Sequence, residues 1–400
     1  MTSSTTEHQV PAQHDRSAVA ALRSGALRSA RRAWPAMAAY LAARLVGTLV
    51  FGLLSSGHGY ASRGMFVFVD SGWYQKIAER GYDTSISPNL SPFAFDPLYP
   101  GLMGLGHGVT RLPVTAVGLA ITWIAAVAGA WALFEIGRLV RDARTGLIFA
   151  VLWALMPSAV IQGSLYADTL AICLSAWALY ALLRHALITA AVLACLAGAT
   201  RPTANAIVAT VCVGAVVQFV SARRSGERAG WRPPAAFIIA PIGSAGFLAY
   251  VAYRMGSVGG YLRAQKKWGT GFGNAGDLLH RIRLGVEGSA VGGYNTGQAH
   301  ITTAVLLVVP ILIIVMFVQR QAWQLLTYTC IVAVLIYAAI HDYSVVPREM
   351  LAVFPVLLAP AGWLASIRRR WVVWVLLAVL AVAAGWYAAY IPVDGGPGFP

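Results

Sequence analysis

Apolar runs long enough to cross a bilayer recur along most of this 400-residue chain and constrain its fold more than any other feature. A helix needs about 20 mostly apolar residues to span the hydrocarbon core. Such runs predict eleven transmembrane helices, at residues 36–54, 114–138, 147–163, 168–183, 186–199, 203–220, 235–254, 301–318, 323–340, 349–367 and 371–391. Because 58% of the residues are hydrophobic and only 11% are charged, we predict an all-α polytopic membrane protein and exclude a soluble globule.

The distribution of charge predicts the orientation of these helices. Residues 1–35 are rich in Ser, Thr, Ala and Arg, so we expect a disordered, basic cytoplasmic tail. Alternation from that end puts seventeen basic and four acidic residues inside, and twelve basic and ten acidic residues outside. This positive-inside pattern explains the net charge of +15 without nucleic acid. We therefore expect a multi-pass cell-membrane protein with a membrane domain at 36–391 and a short outer tail at 392–400.

Two outer loops, residues 55–113 and 255–300, are far longer than helix hairpins need and hold six of the ten outer carboxylates. Long charged loops on a rigid scaffold commonly hold functional residues. In the first loop, apolar residues recur at helical spacing after Asp70 and stop at Gly81, which predicts a short interfacial helix. Asp70 is then either the N-cap of that helix or a carboxylate that accepts a proton from a bound hydroxyl.

Three further polar positions each have two interpretations. Asp96 precedes Pro97 in a segment whose two prolines argue against an uninterrupted helix, and it is either a second acid or a turn residue. Asp168 is an N-cap or a catalyst. Arg201 either reaches toward lipid headgroups or holds a phosphate with its planar guanidinium.

The second outer loop carries three cations, Arg263, Lys266 and Lys267, beside aromatic residues. A cationic patch on the outer face favours an anionic ligand such as a lipid phosphate, with a solvated surface patch as the alternative. Arg348 stands at the entrance to a later span. The neighbouring His341 and Asp342 are not expected to form a catalytic pair, because adjacent side chains seldom face one another.

Two charged residues, Arg44 and Glu135, fall inside predicted spans. Insertion of such a group at the bilayer centre costs about 2.5–3.5 kcal/mol. We expect the two to pair with each other, or Glu135 to pair with Arg138 three residues along its helix.

The order of several motifs resembles the PIG-V family, polytopic mannosyltransferases of the GT-C superfamily with bacterial relatives. The motifs, between about residues 66 and 360, are Asp-Ser-Gly-Trp-Tyr with Ile-Ala-Glu-Arg-Gly-Tyr, Phe-Asp-Pro-Leu-Tyr-Pro, Ser-Leu-Tyr-Ala-Asp, Thr-Arg-Pro, Gln-Lys-Lys-Trp-Gly and Pro-Arg. The chain departs from the family at Asp96, where a second aromatic residue is usual. The resemblance implies a GT-C-like bundle of about eleven transmembrane helices.

The resemblance also implies an activity. It is the transfer of a sugar, mannose in the family, from a polyprenyl-phosphate donor to the hydroxyl of a lipid- or protein-linked glycan or glycolipid on the outer face, with inversion. A phosphate leaving group needs no general acid, so one base and one anion holder suffice. Asp70 matches the family's base. The phosphate candidates are Arg201, Arg263, Lys266, Lys267 and Arg348, and the pocket candidates are Trp73, Tyr74, Glu79, Asp96, Tyr99, Tyr166, Asp168, Gln265 and Trp268.

Neither a cofactor nor a metal is predicted. The outer carboxylates form no recognised binding loop, and the four cysteines fall inside apolar runs. The sequence leaves open a divalent ion that bridges Asp70 and the phosphate, and it also leaves open the need for a partner protein. The competing functions are a lipid or solute transporter and a non-catalytic scaffold. A transporter would place charges near the midplane, whereas this chain gathers them at the outer surface.

Overall fold

The computed structural model describes residues 12–55, 70–83, 90–228, 230–268, 275–288, 296–339 and 345–394. Within these ranges the chain is helical and holds no β-strand. Its α-helices are α1 (Ala12–Ser55), α2 (Ser71–Arg80), α3 (Leu98–Thr110), α4 (Val114–Val140), α5 (Ala143–Ala154), α6 (Asp168–Leu183), α7 (Leu187–Gly198), α8 (Asn205–Arg224), α9 (Arg232–Ile239), α10 (Ile242–Arg254), α11 (Gly260–Lys267), α12 (Ala275–Val286), α13 (Thr296–Val318), α14 (Trp323–Ala338), α15 (Val346–Glu349), α16 (Leu358–Ser366) and α17 (Arg370–Asp394). Short 3₁₀ segments lie at Pro92–Ala94, Ala159–Gly163, Pro202–Ala204 and Met350–Leu357.

Eleven helical segments of the described chain are apolar enough to belong in a membrane. Seven are long enough to cross it, namely Ser24–Leu54, Val114–Val140, Pro202–Arg224, Arg232–Arg254, Gly297–Val318, Val346–Ser366 and Arg370–Ala389. Four shorter apolar helices are α5, α6, α7 and α14. Each segment coincides with one of the eleven predicted runs, so the prediction of an all-α polytopic membrane fold is confirmed.

The two ends of the membrane domain differ from expectation. α1 begins at Ala12, so the structure describes residues 12–35 as helix where the sequence analysis expects a disordered tail. Alanine, leucine and arginine, which dominate this stretch, all favour helix. At the other end α17 continues to Asp394, into the predicted outer tail. Residues 1–11 and 395–400 lie outside the described ranges.

The third predicted span is broken. α5 ends at Ala154, and Pro157 and Ser158 follow, with Ser158 in the left-handed region at φ 59°. Proline cannot donate a helical hydrogen bond and clashes with the preceding turn. The chain therefore continues through the 3₁₀ segment Ala159–Gly163. Irregular backbone then connects this segment to the start of α6.

Both long outer loops contain helices. The predicted short helix of the first loop is α2. α3 was not predicted, but Pro97 and Pro100 lie at its N-terminal end, where a missing N–H costs nothing. In the second loop α11 and α12 were not predicted either, and α13 begins at Thr296, before the expected end of the loop at residue 300.

The helices pack around α4, α5 and α6. α1 contacts α17, α5 and α4, while α6 packs on both α4 and α7, and α8 packs on α7 and α14. α4 and α5 approach closely because glycines meet at the crossing: a Cβ on Gly146 would collide with the carbonyl oxygen of Phe134 on α4. Small residues at helix crossings allow such close packing in membranes.

The two charged residues inside spans do not pair with each other. Glu135 is fully buried and accepts hydrogen bonds from Nε and Nη2 of Arg138 at 2.9 and 2.7 Å and from the hydroxyl of Ser29 at 2.6 Å. Arg44 instead points Nη2 at the carbonyl oxygen of Val160, 3.5 Å away. Glu135 therefore pairs with Arg138, the alternative partner predicted from its spacing along the helix.

Candidate active site

An ion pair joins two residues that are 278 positions apart in the sequence. Arg348 donates from Nη1 to Oδ2 of Asp70 at 3.0 Å. The side chain of Arg348 is 10% exposed and that of Asp70 is 20% exposed. Asp70 therefore retains access to solvent, while the guanidinium is largely enclosed. Asp70 occupies the N-cap position of α2 but makes no capping hydrogen bond. Its carboxylate is therefore directed at Arg348 and does not cap the helix.

Arg201 and two more carboxylates extend this pair into a five-residue ionic cluster. Arg201 donates from Nη1 to Asp168 at 2.7 Å and from Nη2 to Glu349 at 2.6 Å. Glu349 also lies 3.6 Å from Nη2 of Arg348, which connects the two halves. Three carboxylates thus surround two guanidinium groups, and the cluster carries a formal charge of −1.

The cluster forms because the chain brings several helix starts to one end of the bundle. Asp168 is the first residue of α6, and Arg201 immediately precedes the 3₁₀ turn that leads into α8. The N-terminal ends of α6 and α8 carry positive helix dipoles and therefore favour nearby negative charge. The hydroxyl of Ser71 donates to the carbonyl oxygen of Leu165 at 3.1 Å and fastens the start of α2 to this end.

Aromatic side chains enclose the cluster. The guanidinium of Arg348 lies over the ring of Tyr166, 5.2 Å from its centroid. The ring of Tyr74 lies edge-on to those of Tyr99 and Phe95, each at 5.1 Å. Burial raises the pKa of the Tyr74 and Tyr166 phenols well above the ordinary value, so both stay neutral at physiological pH. This wall holds the cluster in a poorly hydrated environment.

The same wall continues to α11. Trp268 packs edge-on against Trp73 at 5.2 Å and against Phe95 at 5.1 Å, and its indole N–H donates to the carbonyl oxygen of Ser91 at 2.9 Å. Gln265 donates to the carbonyl oxygen of Ala94 at 3.1 Å. These two predicted pocket residues therefore fasten α11 to the first outer loop.

Asp96 directly follows Phe95 of this aromatic wall in the sequence and is 6% exposed. Burial raises the pKa of its carboxyl from 3.8 to about 7, although the positive charge of Arg201 and a backbone hydrogen bond oppose the rise. Burial likewise raises the pKa of Tyr82 and Tyr261, and in each case the charge of Asp96 adds to the effect. Asp96 is thus a buried carboxyl that changes charge near neutral pH.

Both arginines of the cluster keep their Nε donor for a further ligand. The Nε atoms of Arg201 and Arg348 are buried and have no hydrogen-bond partner among the described residues. A cavity of about 10 Å³, room for one water molecule, lies beside them and is lined by Asp168, Arg201, Arg348 and Glu349 together with Ser175 and Tyr328. An anion that accepts from these Nε atoms would therefore find donors already in position.

The structure separates the predicted phosphate residues into two groups. Arg201 and Arg348 belong to the ionic cluster, whereas Arg263, Lys266 and Lys267 are exposed on α11 and do not join it. Arg263 donates instead to the hydroxyl of Ser257 at 2.9 Å. α11 packs against the protein through Ala264 and through Trp268 at its C-terminal end. The three cations therefore face solvent.

Four further positions complete the comparison with the sequence. Glu79 lies on the exposed side of α2, where it accepts a hydrogen bond from Gln75 at 2.9 Å. His341 and Asp342 fall outside the described residues. Glu349 was not predicted, although its position directly after Arg348 at a span entrance was the available signal. Within the described part of the chain, no group of three His, Cys, Asp or Glu side chains is placed to hold a metal ion.

Comparison with known proteins identifies the fold. No protein-family model and no curated protein matches the chain. The crystal structure of ArnT from Cupriavidus metallidurans bound to undecaprenyl phosphate matches with a TM-score of 0.52 and 16% identity, covering 88% of this chain and 64% of that one. The apo structure of the same protein matches with a TM-score of 0.50 and 15% identity, over 84% and 60% of the two chains.

A third match is the Archaeoglobus fulgidus oligosaccharyltransferase in complex with Zn and sulfate. Its TM-score is 0.46 at 14% identity, over 87% of this chain and 53% of that one. The present chain therefore spans somewhat less than two thirds of the ArnT structures it matches. At these identities the likeness concerns the fold, and the chain has the GT-C fold of a polytopic membrane protein.

Proposed function

We propose that this protein is a membrane glycosyltransferase that moves a sugar from a polyprenyl-phosphate donor to an acceptor hydroxyl on the non-cytoplasmic face. The observation that carries the proposal is the contact between Asp70 and Arg348, with Arg201 in the same cluster. It unites a partly exposed carboxylate with two enclosed guanidinium groups. A base and an anion holder are the two groups that transfer from a phosphate leaving group needs.

The fold supports this assignment. The ArnT structure that this chain resembles was crystallised with undecaprenyl phosphate, a polyprenyl phosphate of the kind that such a donor releases. The motif resemblance to PIG-V mannosyltransferases supports mannose as the sugar and a glycan or glycolipid as the acceptor.

In the proposed reaction, the acceptor oxygen forms a bond to the anomeric carbon while the bond from that carbon to the phosphate oxygen breaks. The electron pair of the broken bond stays on the phosphate, and the hydroxyl proton passes to Asp70. Attack opposite the leaving group inverts the anomeric centre.

Donor binding would also prepare the base. The phosphate of the donor competes with Asp70 for Arg348, since both are oxyanions and the guanidinium binds either. A hydrogen bond from Arg348 to the phosphate in place of Asp70 would leave the Asp70 carboxylate free to accept a hydrogen bond from the acceptor hydroxyl. Arg201 is held by two carboxylates and would contribute its Nε without moving.

The experiment is turnover in proteoliposomes that contain the purified full-length protein, polyprenyl-phosphate mannose and a panel of lipid-linked acceptors. We expect release of polyprenyl phosphate that depends on both protein and acceptor. If the protein consumed no polyprenyl-phosphate sugar but moved lipid or solute between leaflets, the transporter alternative would replace the transferase proposal.

A further inference from the structure

A second basic site lies inside the bundle, away from the ionic cluster. Arg44 of α1 is 3% exposed, and its Nε has no hydrogen-bond partner among the described residues. Its one hydrogen bond to protein there, to the carbonyl oxygen of Val160, is long at 3.5 Å. Arg44 also forms no ion pair with any acidic residue that the structure describes. A guanidinium in apolar surroundings without a negative partner is unfavourable.

A small cavity adjoins this arginine. It measures about 10 Å³ and lies between α1, the 3₁₀ turn and α17, lined by Arg44, Gly47, Thr48, Phe51, Val160, Ala384, Gly385 and Ala388. The hydroxyl of Thr48, one turn after Arg44, is likewise buried without a partner among the residues described. Two polar side chains on one face of α1 thus line one space.

Close packing maintains this cavity. Gly47 and Gly385 meet where α1 crosses α17, and a Cβ on Gly385 would collide with the carbonyl oxygen of Gly47. Because the two backbones already touch at these glycines, the helices cannot move together to fill the space beside Arg44. The cavity is therefore a feature of how the two helices cross.

We propose that this cavity binds a small inorganic anion of chloride size, held by Nε of Arg44 and the hydroxyl of Thr48. Both groups donate hydrogen bonds, and the anion supplies the counter-charge that the guanidinium lacks. A lipid phosphate is disfavoured, because Arg44 lies inside the bundle and is only 3% exposed. The bound anion would lie between α1, α17 and the Ala159–Gly163 turn.

The direct test uses bromide, a heavier halide that replaces chloride and scatters X-rays anomalously. Crystals of the full-length protein grown in sodium bromide should show an anomalous peak within hydrogen-bond distance of Nε of Arg44. In detergent solution, the midpoint of thermal unfolding should rise by several degrees when sodium gluconate is replaced by sodium bromide at equal ionic strength. This rise should saturate as the bromide concentration increases.

Two variants connect this response to the site. Arg44→Met and Thr48→Val should remove or weaken the bromide effect. Thr329→Val should keep it, because the hydroxyl of Thr329 donates within α14 to the carbonyl oxygen of Leu325. Thr48→Val keeps the side-chain shape and serves if Arg44→Met does not fold. The proposal is overturned if the wild-type protein shows neither the anomalous peak nor the bromide-dependent midpoint, or if Thr48→Val leaves the response unchanged.

Discussion

The guanidinium of Arg348 contacts the carboxylate of Asp70 at 3.0 Å, across 278 positions of sequence. The contact joins the beginning of α2 to the entrance of a late transmembrane segment. It gives the first outer loop a fixed position relative to the bundle, and it places the proposed base and the proposed phosphate ligand in one site.

Replacement of Arg348 tests its role as a phosphate ligand. A hydrogen bond to a charged group contributes about 1.5–3 kcal/mol, so Arg348→Gln should raise the KM for the polyprenyl-phosphate donor by about 10- to 100-fold. The measurement is initial rate against donor concentration in detergent micelles.

The matched control for this variant is Arg283→Gln. Arg283 is 77% exposed on α12 and pairs with Glu287 one turn away. This control should keep the wild-type KM. Equal donor KM values for Arg348→Gln and wild type would remove Arg348 from the phosphate site.

Replacement of Arg201 tests the electrostatic balance of the cluster. Arg201→Gln leaves Asp168 and Glu349 without the cation that each contacts within 2.7 Å. Loss of one partner from a buried ion pair costs about 3–5 kcal/mol, so the thermal midpoint should fall clearly below that of wild type, measured on purified protein. The double change Arg201→Gln with Asp168→Asn should recover part of the loss. If Arg201→Gln unfolded at the wild-type midpoint, the cluster would not be a buried ionic network.

Asp96 makes stability depend on pH. Because the pKa of the folded state is raised from 3.8 to about 7, the folded protein holds this proton more tightly than the unfolded chain does. The stabilisation from protonated Asp96 is complete below pH 3.8 and is lost as the pH rises through about 7. Asp96→Asn should therefore raise the thermal midpoint relative to wild type at pH 8, and by clearly less at pH 5. A variant effect of the same size at both pH values would contradict a buried, titrating Asp96.

The sequence predicted the membrane fold well because apolar runs report directly on burial in lipid. It named Arg201 and Arg348 as candidates from charge and expected outer location and Asp70 from the motif resemblance, and the structure brings all three into one cluster. It did not predict that Arg201 would be held between Asp168 and Glu349, since side-chain pairing across helices depends on how the bundle closes. It also grouped Lys266 and Lys267 with them, because charge and loop position do not show which face of α11 meets the protein.

Orientation in the membrane is a further expectation. In a background without native cysteines, Lys266→Cys should react with an impermeant thiol reagent added to the outside of intact cells, because Lys266 is exposed on α11, which contacts the loop that carries Asp70. Arg224→Cys, at the end of α8, should react only after permeabilisation. The reverse pattern would place the cluster on the cytoplasmic face and contradict the proposed topology.

The most direct measurement of the central claim is single-turnover transfer by Asp70→Asn. Asparagine keeps the shape of aspartate but cannot accept the hydroxyl proton, and loss of a general base costs about 10²- to 10⁴-fold in rate. The control is Glu79→Gln on the exposed side of α2. We predict that Asp70→Asn binds the polyprenyl-phosphate donor yet transfers its sugar at least about 100-fold more slowly than wild type, while Glu79→Gln transfers normally. Transfer by Asp70→Asn at the wild-type rate would contradict the account.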